Sequence, residues 1–552
     1  MSLLHSPASR PVAIGLVLLA VSVLLFSRLG HYALWDDEAA TALAAKGVLQ
    51  TGDTSMLMEH GNICAYRGGL DIVDFCDHAM PPLDAYLTAL SFKLFGIDAW
   101  AARLPFALLG VATVALILYW ARGESWPVFL VLTAGLLGNV SLILFFRQCR
   151  YYGPSIFFTL AIVFVYWRWK PTPRNLVILA MLSVLLFVSN YVSYVMLYAC
   201  LAVDYAIWKR KEYPPSLRKG LLLFGPQLIL NALVSCVWNP FMTSHGAYLA
   251  MNSFADRLTL FYWYWRDMDR SEYFSLPVVL VALWVGLKYN RPWMVRGCVA
   301  MAVYVVVLSI ISPQRAELYA DGEVRYLPAL IPLGIALETG ALCALWERRK
   351  VLLAIATVVV FGTNFLNGAW LCDCGMRPTF VNPATGQHLL DNGIRVTLLS
   401  YIEELISPPP EPYTPVAQWI NDHVPEGDSV WVQPDYSTYP LMFHAPRALY
   451  AWQLDWPPRP DFASLPRIHF LGQEPPDYLI AFGPYLKEIP EAIHNLNRSD
   501  VSYKQVATIN VFWRDLYRPE LIWRTFQPIT NFDPAKQAVY IFQRVNPPIS
   551  TH

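Results

Sequence analysis

Three carboxylates in a row, Asp36, Asp37 and Glu38, follow Trp35 just after the first long apolar run of this 552-residue chain. Adjacent acids repel one another and are costly to bury, so a solvated acidic loop is the plain alternative to a site. Their neighbours argue for more. Ala39 to Leu49 reads as a short Ala-rich helix with little polar surface, which sets the acids at a helix N-terminus, where the backbone dipole favours anions. A carboxylate held there can take a proton from a hydroxyl group. Few other polar groups interrupt the apolar segments. They are Asp77-His78 before Pro81-Pro82, the run Arg147-Gln148-Cys149-Arg150-Tyr151-Tyr152, and Arg325-Tyr326 after the loop 314–323, which holds Arg315. An Arg at the end of an apolar helix can simply snorkel to lipid headgroups. A guanidinium is also suited to two-pronged phosphate binding. As a set, the groups divide into carboxylates for a proton and arginines for a phosphate.

Positioning them falls to a membrane-embedded frame. Hydrophobic residues make up 55% of the chain and charged ones 15%, against about 25% charged in ordinary soluble domains. Lys plus Arg balances Asp plus Glu at 41 each, which offers no basic surface to nucleic acid. Eleven apolar runs approach the ~30 Å of a bilayer core: 11–29, 100–121, 126–146, 153–169, 174–189, 190–208, 219–238, 274–289, 294–312, 324–345 and 350–370. The first lacks a small-residue cleavage pattern and is kept as an anchor. Alternate connections carry Arg122; Arg168, Lys170 and Arg174; Lys209 to Lys211; Lys288 and Arg291; and Arg348 to Lys350. These short basic loops, with Arg10, belong on the cytoplasmic side. Residues 30–99 and everything after the last span then face outward.

Within the first outer loop, residues 81–96 are apolar but short and contain Asp84 and Lys93, which predicts a second helix lying in the interface rather than a span. Cys64 and Cys76 flank a polar stretch of that loop and are candidates for a disulfide or for two separate thiols. The tail is Pro-rich and alternates strand-like with helical segments: a helix over 416–423 and strands over 429–433, 478–482, 506–512 and 538–543. The expected architecture is a mainly α polytopic membrane protein over 1–374, with an extracytoplasmic α/β domain over 375–552.

These residues resemble a known family. Asp37-Glu38 after the first span, Pro-Pro-Leu with Tyr86 to Gly96, Ala102-Arg103-Leu104-Pro105, Arg150-Tyr151 and Arg325-Tyr326-Leu327-Pro328 occur in the order and topology of the GT-C glycosyltransferases. The likeness is to bacterial relatives of protein O-mannosyltransferases and lipid A aminoarabinose transferases, over roughly residues 10–370. It implies inverting transfer of a sugar from a polyprenyl-phosphate donor to an acceptor that is a protein, a lipid or a polysaccharide. It implies Asp37 as base with Glu38 beside it, and a substrate-binding set of Asp36, His78, Arg147, Arg150, Tyr151, Arg325 and Tyr326. It implies a cell-membrane location with the tail in the periplasm. Some members use a divalent metal, for which Asp37, Asp77 and His78 offer hard ligands without a metal-binding spacing; no cofactor is otherwise indicated. Ala79-Met80 stand where aminoarabinose transferases have Glu-Lys before Pro-Pro, so lipid A is not supported as acceptor. The rival classes are a carrier-lipid flippase or transporter and a polymerase or ligase of lipid-linked glycans. A transporter should carry ionisable groups at mid-span, whereas the charges here gather at one face.

Overall fold

Each of the eleven apolar runs contains a helix in the computed structural model, which describes residues 9–168, 170–241, 252–312, 314–316, 322–346, 348–367, 394–408, 411–495, 501–510 and 538–545. The first is α1 (Ser9–Phe26). The outer loop follows, with α2 (Asp36–Thr51), a hairpin of β1 (Ile72–Val73) and β2 (Cys76–Asp77), and α3 (Leu83–Phe95). The bundle continues with α4 (Ala99–Trp120), α5 (Trp126–Gly138), α6 (Val140–Phe146), α7 (Tyr152–Trp167), α8 (Pro173–Ser189), α9 (Tyr191–Asp204) and α10 (Leu217–Ser235). After α11 (Phe254–Arg270) come α12 (Leu276–Lys288), α13 (Pro292–Ile311), α14 (Ile331–Trp346) and α15 (Lys350–Thr357).

Among the described residues, six helices are long and apolar enough to cross a membrane, and the α5–α6 pair makes a seventh if its two parts form one span. Four more are apolar but of 10–17 residues: α7, α8, α12 and the stretch Lys350–Gly362. At about 1.5 Å per residue the shortest of these fall well below ~30 Å on their own. The chain is a multi-pass membrane protein.

The expected single span over 126–146 is instead bent by 60° between α5 and α6. Asn139 accounts for the bend: its carbonyl accepts from Leu142 N at 2.8 Å, capping α6, and its amide donates to Glu272 O at 2.7 Å. Far from that bend, Arg10 donates to Glu124 O at 2.8 Å, and Arg122 and Arg168 both pack on Tyr119, so these basic groups of the short connections cluster together.

The tail builds α16 (Thr397–Ile406), α17 (Tyr413–His423), β3 (Ser429–Gln433), α18 (Thr438–His444), β4 (Leu449–Tyr450), β5 (Tyr478–Phe482), α19 (Ile489–Asn495), β6 (Ser502–Ile509) and β7 (Val539–Val545). Among the described residues its five strands run in the order β4-β3-β5-β7-β6, with β3 parallel to both neighbours and β7 antiparallel to β5 and β6. The strand expected over 506–512 ends beyond the described residues, and the expected boundary at 374/375 lies outside them as well. The tail does not stand apart from the outer loop. Ala39, Leu43 and Phe92 share one hydrophobic core with Val430, Met442 and Ile480. Asn62 on the loop donates to Ala448 O and accepts from Tyr450 N, both at 2.8 Å, and Arg459 donates to Ile72 O. On the same loop, α2 lies so close to the following chain that a Cβ at Gly47 would sit 1.9 Å from Ser55 O, and the helix ends at Gly52 with φ +84°. Cys64 and Cys76 are separate thiols, not a disulfide; Cys64 N donates to Met56 O at 2.8 Å and Cys76 bridges Ser55, so backbone pairing ties both to the same segment.

His444, at the end of α18, accepts the N–H of Leu34 through Nε2 at 3.1 Å, two residues before the acidic run. Burial, with help from nearby Arg103, lowers its pKa from 6.5 to about 4. The unfolded chain therefore takes up this proton first, and the contribution is complete above pH ~6.5 and lost as the pH falls toward 4. We expect the melting temperature of the wild-type chain to drop between pH 6.5 and 4.5 more steeply than that of His444→Gln, whose amide oxygen can accept from Leu34 at any pH; equal slopes in thermal scans would contradict this.

Candidate active site

The acidic run occupies the first turn of α2, whose ladder opens with Ala39 N donating to Trp35 O at 2.8 Å. Asp36, the first residue of the helix, accepts from Asp37 N through Oδ1 at 2.7 Å. Asp37 and Glu38 are both buried, at 2% and 0% exposure, and buried carboxylates need partners. They find different ones. Glu38 forms a two-pronged ion pair with Arg103 of α4, at 2.9 Å to Nε and 2.6 Å to Nη2, and also accepts from Cys149 N at 2.8 Å. Arg103 spends its remaining hydrogens on the carbonyls of Leu29, Tyr32 and Ala33. Glu38, expected beside Asp37 in the chemistry, is thus the strut that joins α2, α4 and the chain just before Arg150. In the sequence, Arg103 stands out only as part of the Ala102-Arg103-Leu104-Pro105 motif. Its position four residues into an apolar helix was the available signal, because a buried Arg must have an acid within reach.

Asp37 meets two arginines from distant parts of the chain. Arg150 Nη2 lies 3.0 Å and Arg325 Nη1 3.1 Å from the same oxygen, Oδ2. Arg150 is further fixed on the carbonyl of Asp37 and on Thr41 Oγ1, each at 3.3 Å. Arg325 is shared with Glu323, which accepts from Nη2 at 3.0 Å and 3.1 Å. Its loop is held in turn by Asp267, which accepts from Gly322 N at 2.7 Å, and by Gln314, which accepts from Glu323 N at 2.9 Å. The rings of Tyr151 and Tyr326 stack beside the two guanidinium groups at a 12° interplanar angle, with centroids 6.3 Å apart. The side chain of Arg150 is 7% exposed and that of Arg325 18%, so Arg325 is the more accessible cation. Asp84 of α3 lies buried near Arg150 and Cys149; burial pushes its pKa well up, with Arg150 pulling the other way. In the sequence alone, Asp84 argues only against a span.

The other expected residues lie elsewhere. Arg147 closes the C-terminus of α1, donating to the carbonyls of Leu24, Leu25, Ser27 and Arg28 at 2.7–3.2 Å. That is a cation on a helix end, where the dipole favours it. Asp77 accepts from Ala79 N and Met80 N, both at 3.1 Å, and shapes the entry to α3. His78 faces Asp53 at 2.9 Å. Arg315 is half-buried on the loop before Arg325. Among the described residues, Asp37, Asp77 and His78 do not come together as a metal set.

No family model matches the chain. An uncharacterized protein of Aquifex aeolicus (strain VF5) is 30% identical over 155 residues, which is 28% of this chain and 28% of that protein. The chain thus matches little more than a quarter of that relative's length. Two crystal structures of ArnT from Cupriavidus metallidurans, one bound to undecaprenyl phosphate and one apo, superpose with a TM-score of 0.52 at 14% identity, over 97% of this chain and 98% of that one. The chain has the fold of ArnT. An oligosaccharyltransferase of Archaeoglobus fulgidus aligns over 85% of this chain and 67% of its own, at 13% identity and a TM-score of 0.41. The two ends of α2 differ: its first turn carries the buried acids, and its far end lies against the following chain of the outer loop.

Breaking the Glu38–Arg103 pair leaves a buried charge alone, which costs about 3–5 kcal/mol. We expect Arg103→Ala and Glu38→Gln each to lower the melting temperature of the purified chain sharply, whereas Arg348→Ala, at an exposed position, leaves it nearly unchanged; unchanged stability in Arg103→Ala would remove the strut.

Proposed function

We propose that this chain is an integral-membrane glycosyltransferase that moves a sugar from a polyprenyl-phosphate donor to an acceptor hydroxyl, with inversion, at the outer face of the membrane. The observation that supports this reading is the meeting of Arg150 and Arg325 on one oxygen of Asp37. The fold is that of ArnT, a protein that binds undecaprenyl phosphate. In this reading the lipid phosphate draws the guanidinium groups from Asp37 to itself. The acceptor oxygen attacks the anomeric carbon, the bond from that carbon to the phosphate oxygen breaks, and Asp37 Oδ2 takes the acceptor's proton. The departing phosphate gains a negative charge, which Arg150 and Arg325 receive; such prearranged stabilisation is usually the largest catalytic term. Glu323 competes with the phosphate for Arg325, so it lowers affinity for product and favours release. Residues 1–374 form the catalytic unit and 375–552 an α/β domain on the periplasmic side of the inner membrane, set to guide the acceptor. Tyr151 and Tyr326 present aromatic edges to the sugar or the isoprenoid end.

The reading is tested with purified protein and a panel of polyprenyl-phosphate sugars, following release of the free lipid phosphate. That product separates group transfer from flipping, in which no bond breaks. Asp37→Asn is expected to lower transfer about 10²–10⁴-fold while the protein still expresses and melts cooperatively; full activity in this variant removes Asp37 as base. Arg325→Ala is expected to weaken polyprenyl-phosphate binding by about ten- to a hundredfold, in keeping with about 1.5–3 kcal/mol for a hydrogen bond to a charged group. Unaltered affinity would take Arg325 out of the phosphate site.

A further inference from the structure

A second cluster of reactive side chains sits in the outer loop, apart from Asp37. Asp53, Cys76 and His78 each offer one ligand atom, and these atoms all lie within 4.8 Å of one another. Asp53 Oδ2 and His78 Nε2 are 2.9 Å apart. The three come from separate pieces of backbone. Asp53 follows Gly52, the left-handed cap of α2; Cys76 lies on β2; His78 precedes α3. Alternate residues of an extended chain face the same way, which brings Cys76 and His78 to one side. The backbone under them is tied together. Ser55 bridges Cys76, Asp77 N donates to Thr54 O at 3.0 Å, and Thr54 Oγ1 donates to Asp77 O at 2.8 Å. The cluster is therefore a built bracket rather than a chance meeting of mobile side chains.

We infer that Asp53, Cys76 and His78 bind a zinc-type divalent cation that clips the end of α2 to the hairpin and to the start of α3. Thiolate, imidazole and carboxylate together suit zinc, whereas magnesium and calcium favour oxygen ligands alone. Tetrahedral bonds of about 2.0–2.3 Å place ligand atoms about 3.3–3.8 Å apart, so the observed cluster needs shifts of tenths of an ångström to one ångström. All three side chains are half-buried, which leaves a path for the ion and a fourth position for water or another ligand. The Cys76 proton leaves as the metal–sulfur bond forms, so binding releases acid. The carboxylates of Asp74 and Asp77 act on Cys76 as well, and they add to the negative potential that attracts a cation. The edge of Trp238 packs on His78 at 5.7 Å between ring centroids and walls the site on one side. The clip holds the helix that carries Asp37 at its other end. The inference does not depend on the sugar-transfer reading.

The test uses the full-length chain in detergent, stripped of metal and titrated with cobalt and then zinc. One cobalt per chain is expected, with a near-ultraviolet sulfur-to-cobalt band and intense visible bands of a four-coordinate ion, displaced by zinc. Cys76→Ser should erase the near-ultraviolet band, and Asp53→Asn should retain it with weaker binding. Loss of a ligand should lower zinc affinity at least about a hundredfold, beyond the 10–100-fold typical of residues that only support ligands. Melting curves establish that both variants fold. A wild-type chain with no thiolate band overturns the site, as does a band that survives in Cys76→Ser.

Discussion

Two guanidinium groups share one carboxylate oxygen at the mouth of the bundle, and the surrounding structure makes that arrangement tolerable. Arg150 and Arg325 bring two positive charges, and Asp37 and Glu323 bring two negative ones, so the cluster is neutral while nearly enclosed. A lone charge in this position would cost several kcal/mol. The neighbouring Glu38–Arg103 pair is neutral as well, but it is closed on every side by carbonyls and a backbone N–H. The two acids are adjacent in sequence and opposite in use. Glu38 is locked to hold geometry, whereas Asp37 faces Arg325, a cation with an alternative partner in Glu323 and some access to solvent.

Much of this was legible in the sequence for stated physical reasons. The acids lie at the start of α2 because an Ala-rich segment follows them. Two tail strands, 429–433 and 478–482, match their predicted limits because short apolar runs there end at turn residues. The helix expected within 81–96 is α3, whose Asp84 and Lys93 stand near its two ends. What escaped depends on pairing across long sequence distances. Nothing local says that Arg103 rather than Arg147 will meet Glu38, or that Arg147 will cap α1 instead of facing a phosphate. The bend at Asn139 was hidden in an apolar run, because its cause is the carbonyl of Glu272, 133 residues away. Asp53 passed unnoticed for the same reason: its partners arrive from the hairpin and from the residues before α3.

The tail and the outer loop behave as one packed body around α2. Phe92 of α3 meets Phe443 of α18, Asn62 extends the edge of the tail's sheet beside β4, and His444 holds the backbone just before the acidic run. The tail is thereby in mechanical contact with the helix that bears Asp37. This coupling gives a physical route by which events at the tail alter the position of Asp37.

The most direct measurement is a structure of the full chain with polyprenyl phosphate in a lipid nanodisc. The account predicts phosphate oxygens within hydrogen-bonding distance of Arg150 and Arg325, with Asp37 Oδ2 released from at least one of them and Glu38 still clasped by Arg103. A phosphate seated away from both arginines, with the Asp37 pairing intact, would contradict it.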